Sequence, residues 1–145
     1  MPKWVEQGYA EYAKRLPKSC ALKLIELPMA PRSKSTSAEK LKAEEAKRIQ
    51  GAVPKGARLI VLDEHGQQPT TLKLAQKLEE WLAGGQDIAL VVGGPDGLAQ
   101  ELIAQAQWKW SLSNLTLPHP LVRIVVAEQL YRAWSVIQNH PYHRE

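Results

Sequence analysis

The chain has 145 residues, 44% of them hydrophobic and 23% charged, an ordinary composition for one globular domain that can bury roughly 70% of its unfolded surface. A net charge of +4 admits a polyanionic partner. The single cysteine, Cys20, excludes an internal disulfide and a cysteine metal cluster, and no apolar run approaches the ~20 residues of a membrane span.

The opening Met1-Pro2-Lys3-Trp4 leads into an amphipathic pattern rather than an apolar leader, so a cytoplasmic location is expected. Trp4, Val5, Tyr9, Tyr12 and Leu16 have helical spacing over residues 2–15, with Pro2 in the first turn and Pro17 as the stop. Residues 21–27 place Leu22, Leu24, Ile25 and Leu27 as a short strand ended by Pro28. Pro31-Arg32-Ser33-Lys34-Ser35 reads as a basic loop. Thr36 with Glu39 three residues on reads as a capping box, opening a weakly buried helix to about residue 50.

Leu59-Ile60-Val61-Leu62-Asp63 is a continuous apolar run that suits a strand covered on both faces. Thr71 caps a helix over 72–83 that turns Leu74, Leu78 and Trp81 or Leu82 inward and stops at Gly84-Gly85. Ile88-Ala89-Leu90-Val91-Val92 is a second buried strand, residues 98–106 a short helix, and 108–112 a third strand. Residues 121–138 form the longest helix, with Val122, Val125, Val126, Leu130, Trp134 and Ile137 inward. Strand–helix alternation of this kind predicts an α/β fold with a parallel sheet and right-handed crossovers.

Two loops follow strands directly. Gly93-Gly94-Pro95-Asp96-Gly97 lacks the Gly-Lys-Ser/Thr of a phosphate loop and is not G-x-G-x-x-G. It is either a tight reversal or a place where backbone approaches a ligand. Leu112-Ser113-Asn114-Leu115-Thr116-Leu117-Pro118-His119-Pro120 is an apolar, proline-locked loop. It either covers core or forms a pocket wall against a flat base. Asp63-Glu64-His65-Gly66 offers acid–base groups or a solvated turn. His140 and His143 are separated by Pro141, which argues against a helical metal pair. No Gly-x-Ser-x-Gly elbow is present. Arg123, Arg132, His140, His143 and Arg144 make the last helix and tail basic, either to complement a helix dipole or to meet phosphate.

Taken together, Val91-Val92-Gly93-Gly94-Pro95-Asp96-Gly97-Leu98, Leu115-Thr116-Leu117-Pro118-His119-Pro120-Leu121-Val122-Arg123, Glu128-Gln129-Leu130-Tyr131-Arg132-Ala133-Trp134 and Asn139-His140-Pro141-Tyr142-His143-Arg144-Glu145 closely resemble the RlmH family, the SPOUT-class 23S rRNA pseudouridine N3-methyltransferases. The resemblance implies an α/β/α sandwich with a carboxyl-terminal trefoil knot, an exception to the usual threading rule. It implies one domain over 1–145, a homodimer, 23S rRNA within the ribosome as partner, S-adenosyl-L-methionine as cofactor, and neither membrane nor metal. Family members begin further upstream, with a Val-Ala-Val-Gly-Lys strand before Met-Pro-x-Trp, so a sheet without the family's first strand is expected. The cofactor positions map onto Leu62, Gly93, Gly94, Leu112, Ser113, Asn114, Leu115, Thr116 and Leu117. For the reaction this implies, His119, His143 and Arg144 are the candidate catalytic groups, with Tyr142 orienting, and Arg123 and Arg132 are expected either to bind RNA phosphate or to stabilise negative charge on a uracil oxygen. The tail is expected to be flexible by position. Two rivals remain: a non-catalytic RNA-binding module on a Rossmann-like sheet, and a nucleotide-dependent hydrolase using Asp63, Glu64 and His65.

Overall fold

The computed structural model describes residues 1–28, 37–93 and 97–144. They fall into two compact units. One comprises Met1–Lys23, Gln68–Gln86 and Pro120–Glu145, and the other Leu24–Gln67 and Asp87–His119.

The second unit holds the sheet. Strands β1 (Arg58–Gln67), β2 (Ile88–Val92) and β3 (Trp108–Trp110) run in the order β2-β1-β3. Both pairings are parallel, as the alternation of elements predicted. The central strand carries the most apolar run, and Ile60 and Val61 are essentially closed to solvent. β2 lies at an edge, which is why only Val91 of its five residues is fully buried.

Helices α2 (Ala38–Ala52) and α4 (Gln100–Gln105) cover one face of the sheet. Ala46 and Leu102 pack there with Leu59, Val61 and Val91. The alternate positions of β1 and β3 face the other way: Ile60 is in register with Trp108 and Leu62 with Trp110. The two indoles stack at 5.8 Å with 17° between their planes. The cap of α2 is Ser37, whose Oγ accepts from the Lys40 amide at 3.2 Å. Thr36, expected in that role, lies outside the described residues, as does the basic loop 31–35. Serine serves as well as threonine here, and Glu39 still sits in the first turn where the helix dipole favours it.

The other unit is helical. α1 (Lys3–Ala13) starts on Pro2 as its N-cap and stops short of Pro17, where a single 3-10 turn (Lys18–Cys20) follows. Val5 is its buried residue, whereas Trp4, which shares the apolar helical spacing, is exposed. α3 (Thr71–Gly84) is capped by Thr70, one residue before the expected Thr71, through the Lys73 amide. It buries Leu74, Leu78 and Trp81, leaves Leu82 exposed, and ends on Gly85 in the left-handed region. α5 (His119–Ile137) buries Val126, Ala127, Leu130, Tyr131, Ala133 and Ser135. Val122, Val125, Trp134 and Ile137, also expected inward, are half-buried.

The expected strand over 21–27 does not form. Those residues are extended but join no ladder, and Leu24, Ile25 and Leu27 are exposed. Alternation alone gives a segment strand-like shape. A strand also needs a neighbour to take its amides and carbonyls, and none of the described strands pairs with it.

Candidate active site

The carboxyl ends of β2 and β3 lie in one row across the sheet, because Leu62 of the central strand is in register with Val92 on one side and Trp110 on the other. Gly93 follows Val92 and Ser111 follows Trp110, so two of the loops singled out in the sequence leave the same edge of the sheet. That edge is where open parallel sheets hold their ligands.

Gly93 is half-buried and lies close to Gly97 and Leu98. A Cβ there would lie 2.9 Å from Leu98 Cγ and 3.1 Å from the Gly97 carbonyl carbon. Glycine at 93 permits this close approach, and Gly97 has φ at +82°, where glycine is favoured. Gly94, with Pro95 and Asp96, lies outside the described residues.

The loop after β3 is held by short local bonds. Ser111 is buried and its Oγ donates to the Ser113 carbonyl at 3.1 Å, while the Leu115 amide donates to Ser113 Oγ at 2.9 Å. Leu112, Ser113 and Leu117 are half-buried, and Asn114, Leu115 and Thr116 are exposed, Leu115 by 75%. A leucine held outward on a locally braced loop leaves apolar surface available to a flat ligand. His119 and Pro120 open α5, where proline's missing N–H costs nothing.

Strand β1 does more than a polar turn was expected to do. It continues through Asp63, Glu64, His65 and Gly66 to Gln67, and both Leu62 and Gln67 meet Trp110, so the intervening residues make a detour. Gln67 then fastens the root of the 112–117 loop. Its carbonyl accepts from the Ser111 amide at 2.8 Å and its Oε1 accepts from Trp108 Nε1 at 2.8 Å. Gly66 passes so near β3 that a Cβ would stand 2.6 Å from the Lys109 carbonyl oxygen. Sequence reasoning missed both residues, although glycine inside a strand is a recognised mark of close backbone approach. Glu64 and His65 are solvent-facing at 3.4 Å from one another, which offers no enclosed acid–base site. Among the described residues no group of three metal-capable side chains gathers.

The other residues singled out lie in the helical unit. α5 ends in a Schellman turn: Asn139 adopts φ +55°, its amide donates to the Val136 carbonyl at 3.1 Å, and the His140 amide donates to Ser135 at 2.7 Å. A 3-10 turn (Pro141–Arg144) follows. The expected flexible tail is thus folded back against its own helix. The Tyr142 ring lies 4.6 Å from that of Tyr131 at 59°. Its hydroxyl donates to Glu128 Oε2 at 2.7 Å.

Arg132, placed on RNA from the sequence, pairs with Glu128 through Nη2 at 2.7 Å and Nε at 3.1 Å, and stands 5.0 Å from the Tyr142 ring centroid. Arg15 of the same unit lies 5.5 Å from the Tyr131 ring and 5.8 Å from that of Tyr142. Arg123 donates to Met1 Sδ at 3.1 Å. His143 Nδ1 is buried with no hydrogen-bond partner, and Arg144 is exposed. The Tyr142 phenol is pushed well above its usual range, first by desolvation of its hydroxyl and then by the Glu128 carboxylate. It stays protonated at neutral pH and cannot act as a base.

Residues 1–143 match the family described as Predicted SPOUT methyltransferase. The chain is 72% identical over 145 residues to the ribosomal RNA large subunit methyltransferase H of Hydrogenovibrio crunogenus, a match that spans 100% of this chain and 93% of that protein. It is 52% identical to the protein of the same name from Hahella chejuensis, again over 100% and 93% of the two chains. The Bordetella petrii protein of that name is 52% identical over 144 residues, 99% of this chain and 92% of the relative. A match over nearly the whole length, joined to a parallel sheet whose strand-end loops carry the motifs, means that the chain belongs to the SPOUT methyltransferase family.

Proposed function

We propose that the chain transfers a methyl group from S-adenosyl-L-methionine to N3 of a pseudouridine in 23S rRNA. The row of Val92, Leu62 and Trp110 across the sheet, with a braced loop leaving it, carries the reading. The names of the curated relatives support the RNA substrate.

The residues at this edge fit an adenosyl group. Leu62, Leu112 and Leu117 are half-buried apolar surface for the ring, and the braced main chain of Ser113 to Thr116 offers amide and carbonyl groups to its edge. Gly93 and Gly94 are assigned to the cofactor as sequence neighbours of this edge. When bound, the cofactor supplies an electrophilic methyl on a sulfonium. The protein's part is to align that methyl with the ring nitrogen and to deal with the imide proton, and alignment alone can supply several kcal/mol.

His143 and His119 are the candidate bases, and Arg144 carries charge to a uracil oxygen. Tyr142 orients the tail and keeps its own proton. Arg123 and Arg132 add positive charge on α5 for the RNA backbone. The same reading includes the trefoil knot, a homodimer that completes the site, and a cytoplasmic location. No helix among the described residues is long and apolar enough to cross a membrane.

The test is transfer of tritiated methyl to ribosomes from a strain lacking this methyltransferase, followed by mapping of the labelled base. Label on N3 of a 23S pseudouridine is expected. A non-catalytic RNA-binding module would transfer none and would give no heat on titration with S-adenosyl-L-methionine.

A further inference from the structure

We propose that Glu128 is a positioning residue. Its carboxylate anchors the terminal 3-10 turn through Tyr142 and thereby sets His143 and Arg144 for their work on RNA. The second half of this rests on the methyltransferase reading above. The first half, the anchor, does not.

Every acceptor on the Glu128 carboxylate is in use. Oε2 receives the Tyr142 hydroxyl at 2.7 Å together with Arg132 Nη2 at 2.7 Å and Nε at 3.1 Å. Oε1 receives Gln129 Nε2 at 2.6 Å. The side chains of Glu128 and Arg132 are only 16% and 21% exposed, so water and salt screen this pair less than an open surface pair. Removing the carboxylate would take two charge-assisted hydrogen bonds from a half-buried guanidinium.

The turn it holds is four residues long. The Tyr142 amide donates to His140 Nδ1, just before the turn, at 3.2 Å. Tyr142 fixes the turn to the helix: its ring is 4.6 Å from that of Tyr131 and 5.0 Å from the Arg132 guanidinium, and its hydroxyl is bound to Glu128. His143 and Arg144 follow at once, so the direction of their side chains is inherited from that attachment. Arg132 serves the same purpose, because it holds the carboxylate on one side while covering the tyrosine on the other. Phenol and guanidinium together select an anionic acceptor, and a neutral one would satisfy neither as well.

The experiment compares the full chain with Tyr142→Phe, Glu128→Gln and Glu128→Ala. Amide hydrogen exchange is followed at residues 142–144, and kcat and KM are measured separately for methyl transfer. Tyr142→Phe removes one hydroxyl and keeps the ring, so it holds the fold even if Glu128→Ala does not. Tail amides in Tyr142→Phe and Glu128→Ala should exchange about tenfold faster, the loss expected for a hydrogen bond to a charged group. kcat should fall by a similar factor while KM for S-adenosyl-L-methionine is unchanged. Glu128→Gln, which keeps an acceptor for the phenol, should recover part of both effects. Unaltered tail exchange in Tyr142→Phe and Glu128→Ala overturns the anchor. Faster exchange with wild-type kcat overturns its role in the reaction. Wild-type protein that transfers no label overturns the methyltransferase reading and this role with it, while exchange in the same samples still decides the anchor.

Discussion

A methyl group added at residue 66 would run into one main-chain peptide group of the neighbouring strand. It would stand 2.6 Å from the Lys109 carbonyl and 2.8 Å from the Trp110 amide nitrogen. Backbone in a paired strand cannot swing aside as a side chain can, so Gly66→Ala should cost about 1–3 kcal/mol of stability. A denaturant midpoint equal to that of the parent protein would refute this. Tyr142 gives a second expectation. Its folded pKa is raised, whereas an unfolded phenol ionises near pH ~10. The stability held by the neutral hydroxyl is therefore complete below pH ~10 and is lost as pH climbs through the unfolded value toward the folded one. Tyr142→Phe should be less stable than wild type at neutral pH and should show a shallower decline above pH ~10. Parallel alkaline unfolding curves for the two proteins would contradict the assignment.

At the level of elements, the end of α5 depends on one residue with positive φ, Asn139. Asparagine tolerates that conformation and a β-branched residue does not. Asn139→Val should cost about 1–3 kcal/mol and loosen the 3-10 turn, while Asn139→Gly should leave both intact. Thermal melts with proteolysis of the tail would check the pair, and equal behaviour of the two variants would count against the Schellman turn.

The same scale shows what could be seen before the fold was known. The runs at 59–63 and 88–92 declared themselves as strands because a strand covered by helices has few polar positions to spare. Parallel pairing then followed from the intervening helices. Three of the expected cofactor positions, Gly93, Leu112 and Ser113, follow strands of one sheet, and Leu62 lies within the central strand in register with Val92 and Trp110. Residues 21–27 misled because alternation is local and a ladder partner is not. Asp63 to Gly66 misled in the opposite sense, because charged and small residues look like a turn wherever they occur, and only the chain beyond them closes the ladder at Gln67. The tail was read as loose because chain ends often are. Its attachment uses Glu128 and Tyr142, 14 positions apart. The visible half of that attachment was the Glu128–Arg132 pair, four residues apart on one helix face.

For the whole molecule, the chain crosses between its two units after Lys23, Gln67, Gln86 and His119. Neither unit is one continuous stretch, so neither should be separable as a fragment. Unfolding should follow one transition by tryptophan fluorescence and by far-ultraviolet circular dichroism alike, and two resolved transitions would deny that 1–145 is a single domain. Replacing His143 and Arg144 together by Ala should leave affinity for S-adenosyl-L-methionine near wild type and abolish methyl transfer. Turnover at the parent rate would remove the tail from the mechanism. Sedimentation should report a dimer at micromolar concentration if the site is shared between copies.

Ser135 is the final fully buried position among the described residues, yet Tyr142 beyond it still rests on Tyr131 and holds Glu128. A stop codon at Tyr142 should therefore yield a polypeptide that melts below the parent and, on the methyltransferase reading, leaves its nucleotide untouched. A screen for heat tolerance would register only the first of these losses, and a direct readout of the modified base would expose the second.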